Sequence, residues 1–210
     1  MIFLNYVYLR WDEAKAVEAC AEGVDPMRSR LIIRLCLYGG LRNHEVVDAK
    51  IEDVDPVVGC IYVPHGHNNG PRFVAIDSET LRLLAVYVGA RTSGPLILND
   101  QGEPMNRYKV YYCVMRAGKK AGIQKRWNVS TRMMRHTFAT TWLRRKGNIR
   151  LLQKQMGHSK LESTAFYLDW MPEEIKAEYS KLFEEHKDVF ALSAVVLCDM
   201  ECGGGGLSGT

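Results

Sequence analysis

Apolar residues recur at helical spacing along most of the chain and alternate only in one short early stretch. The spacing predicts an amphipathic helix from Trp11 to Cys20. A strongly apolar helix follows, capped at Asp25-Pro26, running through LIIRLCLY to about Tyr38 and stopped by Gly39-Gly40. Asn43 to Ala49 reads as a short helix. The period then changes: Cys60 to Pro64 and Arg72 to Ile76 are β-prone runs joined by the turn HGHNNGP, which predicts a hairpin with a long loop. Asp77-Ser78 caps a helix through LRLLAVYV, and PLILND predicts a short extended piece. Helical spacing returns from Tyr108 to Ala121, from Ser130-Thr131 to Arg145, and from Ile149 to Met156, with breaks at Gly147-Asn148 and Gly157. Ser163 to Asp169 predicts a short helix or turn. A charged amphipathic helix is expected from Pro172 to about Phe190, and the tail ending CGGGGLSGT carries no core signal. The expected fold class is mainly α with a small antiparallel β-sheet (α+β), without internal repeats.

Composition narrows the classes. The chain has 210 residues, enough for one well-packed domain, and a hydrophobic fraction of 47%. It contains no run of about eighteen uninterrupted apolar residues, so no membrane-spanning helix is expected. The start, MIFLNYVYLRWDE, lacks the basic residue and cleavage site of a secretory signal. Six cysteines form no CxxC, and Cys20, Cys36 and Cys113 sit in apolar helical patterns as buried thiols. A reducing, cytoplasmic compartment follows. The net charge of +4 says little, but its distribution says more: Asn106 to Lys160 holds fifteen Lys or Arg and no Asp or Glu. Subtracted from totals of 28 basic and 24 acidic residues, this leaves thirteen basic and twenty-four acidic elsewhere, a net of −11. Such segregation suits a polyanion, where a merely solvated face would intersperse both signs.

Four short motifs carry candidate chemistry. In GLRNHE, Arg42 follows a helix-stopping glycine pair and can aim a fork of donors at an oxyanion, with Glu45 placed to hold it. In RMMRHTFATTW, Arg132 and Arg135 lie three apart on one helical face, while Met134, Phe138 and Trp142 should face the core. MGHS places His158 after a glycine, and Tyr167 lies nine residues further on.

In this order and at these intervals the motifs resemble the tyrosine recombinase, or phage integrase, family, over roughly Leu9 to Leu182. The family pattern has a G-L-R-x-x-E box, a basic hairpin, H-x-L-R-H-T-F-A-T, L-G-H-S and a tyrosine nine residues after that histidine. The resemblance implies the family's catalytic-domain fold and metal- and ATP-independent cleavage and rejoining of double-stranded DNA, with no cofactor. Arg42 and Arg135 correspond to the arginines that clamp the phosphate oxygens in the transition state. His158 corresponds to the third pocket residue, and Tyr167 to the nucleophile that forms a 3′-phosphotyrosyl link. Arg132 stands where the family has histidine; it can donate to phosphate but cannot readily accept a proton. His67 stands where the hairpin lysine protonates the leaving oxygen, a task histidine can perform near neutral pH.

Arg72, Lys119, Lys120, Lys125, Arg126, Arg144 and Lys160 are the expected DNA contacts. The resemblance makes residues 1–192 one catalytic domain, with 193–210 a tail and the family's N-terminal DNA-clasping domain absent. It further implies a tetramer on DNA, coupled by a Pro172–Phe190 helix that docks on a neighbouring protomer unless it folds back on its own core. A type IB topoisomerase and a DNA-binding relic without turnover are the alternatives.

Overall fold

The structure is a computed structural model describing residues 8–21, 25–64, 70–123, 128–168 and Tyr179. Its centre is the helix Pro26–Leu37, here α2, nine of whose twelve residues are buried. Asp25 accepts a hydrogen bond from the Arg28 backbone N–H at 2.9 Å, and Pro26, whose missing donor costs nothing there, opens the first turn. Leu31, Ile32, Ile33, Leu35, Cys36 and Leu37 are all fully buried, so α2 is covered on every side. Each such aliphatic side chain contributes about 1.5–3 kcal/mol by leaving water. The covering elements are α1 (Trp11–Ala19), α3 (Asn43–Asp48), α4 (Ser78–Val88), α5 (Arg107–Lys120) and α6 (Thr131–Arg144). Arg34, the most buried arginine among the described residues, is tolerated in this core because it is fully paired: it donates to Glu18 of α1, to Asp77, and to Thr80 Oγ1 of α4 at 3.0 Å.

The predicted hairpin is present and gains a third strand. β1 (Val54–Asp55), β2 (Cys60–Val63) and β3 (Arg72–Ala75) form an antiparallel sheet in chain order, with Ile61 opposite both Val54 and Val74. The expected extended piece at Pro95–Asp100 makes only isolated bridges, Lys50 with Pro95 and Leu98 with Pro104. The helices α7 (Ile149–Met156) and α8 (Glu162–Ala165) complete the described part, α8 lying where a short helix or turn is expected. Cys36 is buried, its thiol pushed up to about 12 by burial, whereas Cys20 and Cys113 are only partly covered. Trp142 likewise departs from expectation: it is half-buried and donates to the Asn148 carbonyl at 3.2 Å.

One side chain ties the sheet to the helices. Gln155 of α7 extends the β3 ladder, accepting from Ala75 N–H at 3.0 Å and donating to the Ala75 carbonyl at 2.8 Å. The same amide donates to the Gly39 carbonyl at 3.1 Å. The end of α7, the edge of β3 and the turn after α2 are thereby fixed together; Arg42, Arg72 and His158 stand on or beside these three segments, Arg132 and Arg135 on α6, and Tyr167 just after α8. The loop holding His67 (65–69), the loop holding Lys125 and Arg126 (124–127), and the expected helix and tail beyond Leu168, apart from Tyr179, lie outside the described residues. No helix among the described residues is long and apolar enough to cross a membrane.

Candidate active site

Arg42 is the N-cap of α3, and Glu45 at the third helical position reaches back to it. The Glu45 carboxylate accepts from the Arg42 backbone N–H at 2.8 Å and from Arg42 Nη1 at 3.0 Å. It also receives Arg72 as a two-pronged pair at 2.9 and 2.8 Å, and Arg135 Nη1 approaches to 3.8 Å. Burial alone would raise this carboxyl. The bonds and charge of Arg72, then Arg42 and Arg135, overcome it and hold Glu45 at about 2. One carboxylate thus organises three guanidinium groups.

Arg135, on the inward face of α6, is buried. It donates to the Gly40 carbonyl and, through Nη2, to the Met156 carbonyl at 2.6 Å, bridging the two glycine-containing turns. Burial and the neighbouring Arg42 lower it to about 10, still fully charged at neutral pH. Gly40 is left-handed (φ +67°), and an added Cβ would lie 2.6 Å from Phe138, so only glycine lets α6 come this close. Gly157 ends α7 in the same conformation, and its carbonyl accepts from Arg42 Nη2 at 3.2 Å.

His158 follows directly. Its Nδ1 lies 2.8 Å from Thr164 Oγ1 and its Nε2 3.3 Å from Arg135 Nη2. Burial, with Arg135, Arg42 and Arg72 nearby, lowers His158 to about 4, so it is neutral near pH 7. Tyr167 is buried, its ring stacked on that of His158 at 6.2 Å, and its Oη lies 3.1 Å from His136 Nδ1. Burial raises the Tyr167 phenol, against the lowering charges of Arg135, Arg132 and Arg42.

Five of the six expected catalytic residues (Arg42, Arg132, Arg135, His158 and Tyr167) line one cavity of about 360 Å³, together with Asn43, Thr131 and His136. Three arginines open to one hollow, two of them (Arg42 and Arg135) held by the Glu45 carboxylate, make a receptor for a tetrahedral oxyanion such as a phosphodiester. Residues 8–174 match the phage integrase family. The chain belongs to that family.

Integrase-family relatives include the tyrosine recombinase XerA of Saccharolobus solfataricus, 32% identical over 167 residues, covering 80% of this chain and 53% of the relative. XerC of Lactobacillus delbrueckii subsp. bulgaricus is 31% identical, covering 75% and 55%. The chain therefore spans about half the length of these relatives. Among solved structures, a crystal structure of XerA recombinase superposes with a TM-score of 0.73 at 30% identity, covering 84% of this chain and 63% of that one. The catalytic domain of bacteriophage HP1 integrase does so with 0.64 at 26%, covering 85% and 95%. The fold is that of the tyrosine recombinase catalytic domains.

Of the expected DNA contacts, Lys119, Lys120 and Lys160 are exposed, whereas Arg144 donates to the Tyr8 hydroxyl at 3.1 Å and lies over its ring. Arg72 differs most from its expected place. Its side chain is 8% exposed, with Nε on the Gln155 carbonyl and the terminal nitrogens on Glu45, because the buried carboxylate is the strongest acceptor in reach. Three contributors were not singled out from the sequence: Gln155, Thr164 and His136. Only His136 carries a signal, being four residues after Arg132 and so on the same helical face.

Proposed function

We propose that the chain is the catalytic part of a site-specific DNA recombinase, cleaving and rejoining strands through a 3′-phosphotyrosyl intermediate. The observation that carries this reading is the buried Tyr167 lining the cavity that Arg42, Arg132 and Arg135 also line. Tyr167 Oη attacks phosphorus and the bond from phosphorus to the 5′-oxygen breaks. The phenolic proton passes to water, and the leaving oxygen takes a proton from His67 on the hairpin. Charge growing on the non-bridging oxygens meets guanidinium groups already fixed by Glu45, Gly40 and Met156, so little reorganisation remains for the transition state. The phosphotyrosyl bond conserves the energy of the broken one, and a second strand's 5′-hydroxyl reverses the step. The partner is double-stranded DNA, the working assembly a tetramer on it, and the compartment the cytoplasm at the nucleoid. The relatives' names as tyrosine recombinases support recombinase over topoisomerase.

The test is a covalent adduct on a library of nicked duplex fragments at low salt, read on a denaturing gel with chelator present. An adduct is expected from the wild-type chain and none from Tyr167→Phe. Intact DNA binding without any adduct would reduce the chain to a binding fragment.

A further inference from the structure

We propose that His136 is a further catalytic group, locked by Arg132 as the Nδ1–H tautomer and donating to Tyr167 Oη, so that it stabilises the phenolate that attacks phosphorus and later leaves it. The inference rests on the recombinase reading and names a part of that site the family pattern leaves open here, since Arg132 replaces a histidine.

The tautomer follows from donor counting. Arg132 Nε lies 3.1 Å from His136 Nε2, one helical turn along α6. A guanidinium nitrogen has only a hydrogen to give, so Nε2 must present its lone pair. A neutral imidazole with a bare Nε2 carries its hydrogen on Nδ1, and Nδ1 is the atom 3.1 Å from Tyr167 Oη. A cationic ring would set N–H against N–H at Arg132. Burial, with Arg132, Arg135 and His158, holds His136 at about 3, so the ring is neutral at working pH. His136 is therefore a donor to Tyr167 and not the acceptor of its proton, and the phenolic proton leaves into the pocket. The same logic fixes His158: Arg135 faces its Nε2, leaving Nδ1–H for Thr164. The charged or titratable groups facing Tyr167 are then His136, Arg132 and Arg135 on α6, Arg42 at the start of α3, and His158 after α7. The three arginines favour the phenolate by charge, and His136 Nδ1 lies within hydrogen-bond distance of its oxygen. Arg132 acts here through His136 and is a positioning residue.

The sign of one measurement separates donor from acceptor. Removing a donor to the phenolate raises the tyrosine pKa; removing an acceptor of the phenol proton lowers it. The full chain labelled with tyrosine ¹³Cζ is titrated by NMR without DNA, Tyr167→Phe identifying the resonance. His136→Leu, which keeps an apolar neighbour and deletes the donor, should move Tyr167 ionisation up by about one pH unit or more. His136→Asn, whose amide nitrogen stands where Nδ1 stood, should bring it back towards the wild-type value. On the nicked-duplex library, His136→Leu should slow adduct formation about tenfold at pH 7, the loss shrinking as pH rises, with His136→Asn restoring it. Unchanged or lowered Tyr167 ionisation in His136→Leu overturns the proposal, as does a His136→Asn protein displaced as far as His136→Leu. If His136→Leu does not fold, His136→Asn and His136→Gln decide: the first must stay near wild type, and the second, whose amide nitrogen reaches the place of Nε2 and not of Nδ1, must move up. A wild-type chain that makes no adduct counts against the recombinase reading alone, because the ionisation is measured without DNA.

Discussion

Glu45 is a single carboxylate surrounded by Arg42, Arg72 and Arg135, and its charge is what allows three cations to share a partly dry pocket. Glu45→Gln keeps the shape and removes the charge. Breaking a buried pair in this way costs about 3–5 kcal/mol, and a melting temperature lower by roughly 6–20 °C is expected by calorimetry. The pH dependence follows from the same groups. Glu45 at about 2 lies below the usual 4.5, so on acidification the unfolded chain binds this proton first; its contribution is full above 4.5 and lost as pH falls towards 2. His136 and His158, at about 3 and about 4 against 6.5, are neutral when folded, and unfolded imidazoles protonate first below 6.5, again favouring unfolding. The melting temperature should therefore fall in two stages, one beginning near 6.5 and one near 4.5; Glu45→Gln should keep the first and weaken the second, to which Glu18 and Glu79, also held below the usual carboxylate range by arginine and lysine partners, still contribute. A wild-type protein whose melting temperature does not change from pH 7 to 4 contradicts both assignments. At this scale Arg42, Arg135, His158 and Tyr167 stood out as candidates because each sits in a motif of fixed spacing, and the fold gathers the four around one cavity. The attachment of Arg72 to Glu45 was hidden: the two are 27 apart in the chain, and only the tertiary fold brings the first residue of β3 to the carboxylate on α3.

Among elements, the legible ones were those with strong local punctuation. Asp25-Pro26, Asp77, Ser130 and Asn148 each cap a helix as their residue types predict, and Gly157 ends one. Strand β1 was illegible because two residues carry no periodicity, and Val54 and Asp55 are held only by pairing with Ile61 and Cys60. Gln155 was illegible for a related reason: it looks like a polar helix residue until β3 is beside it. The close approach of α6 to the turn after α2 gives a sharper consequence. Gly40→Ala would place a methyl 2.6 Å from the Phe138 ring and hold an alanine in the left-handed region. Strain of about 1 kcal/mol and overpacking of about 1–3 kcal/mol add up, equivalent to a melting temperature lower by roughly 4–16 °C. Because the Gly40 carbonyl also receives Arg135, adduct formation should fall more than stability accounts for. Gly122→Ala, with nothing near its added methyl and a φ of +66° beside the +67° of Gly40, is the control: it should cost strain alone and leave cleavage unchanged.

For the whole molecule the governing feature is charge segregation: fifteen basic and no acidic residues from Asn106 to Lys160 against a net of −11 elsewhere. If these cations meet DNA phosphates, binding is driven by counterion release and each contact adds about 0.9 to the magnitude of the slope of log affinity against log salt. Lys119 and Lys160 test this from different elements. Lys119 is exposed in the last turn of α5, where a cation also stabilises the helix through its dipole; Lys160 is exposed two residues beyond His158, before the start of α8, where the dipole gives a cation no such gain. Lys160→Ala should lower the slope on a mixed-sequence duplex by about one and weaken binding to all sequences alike. Lys119→Ala should do the same if α5 lies along the duplex. If Lys119 serves only its helix, the slope will hold while the melting temperature drops by an amount on the order of 1–2 °C. Two unchanged slopes would move the phosphate contacts away from both residues and onto the other cations of the basic half.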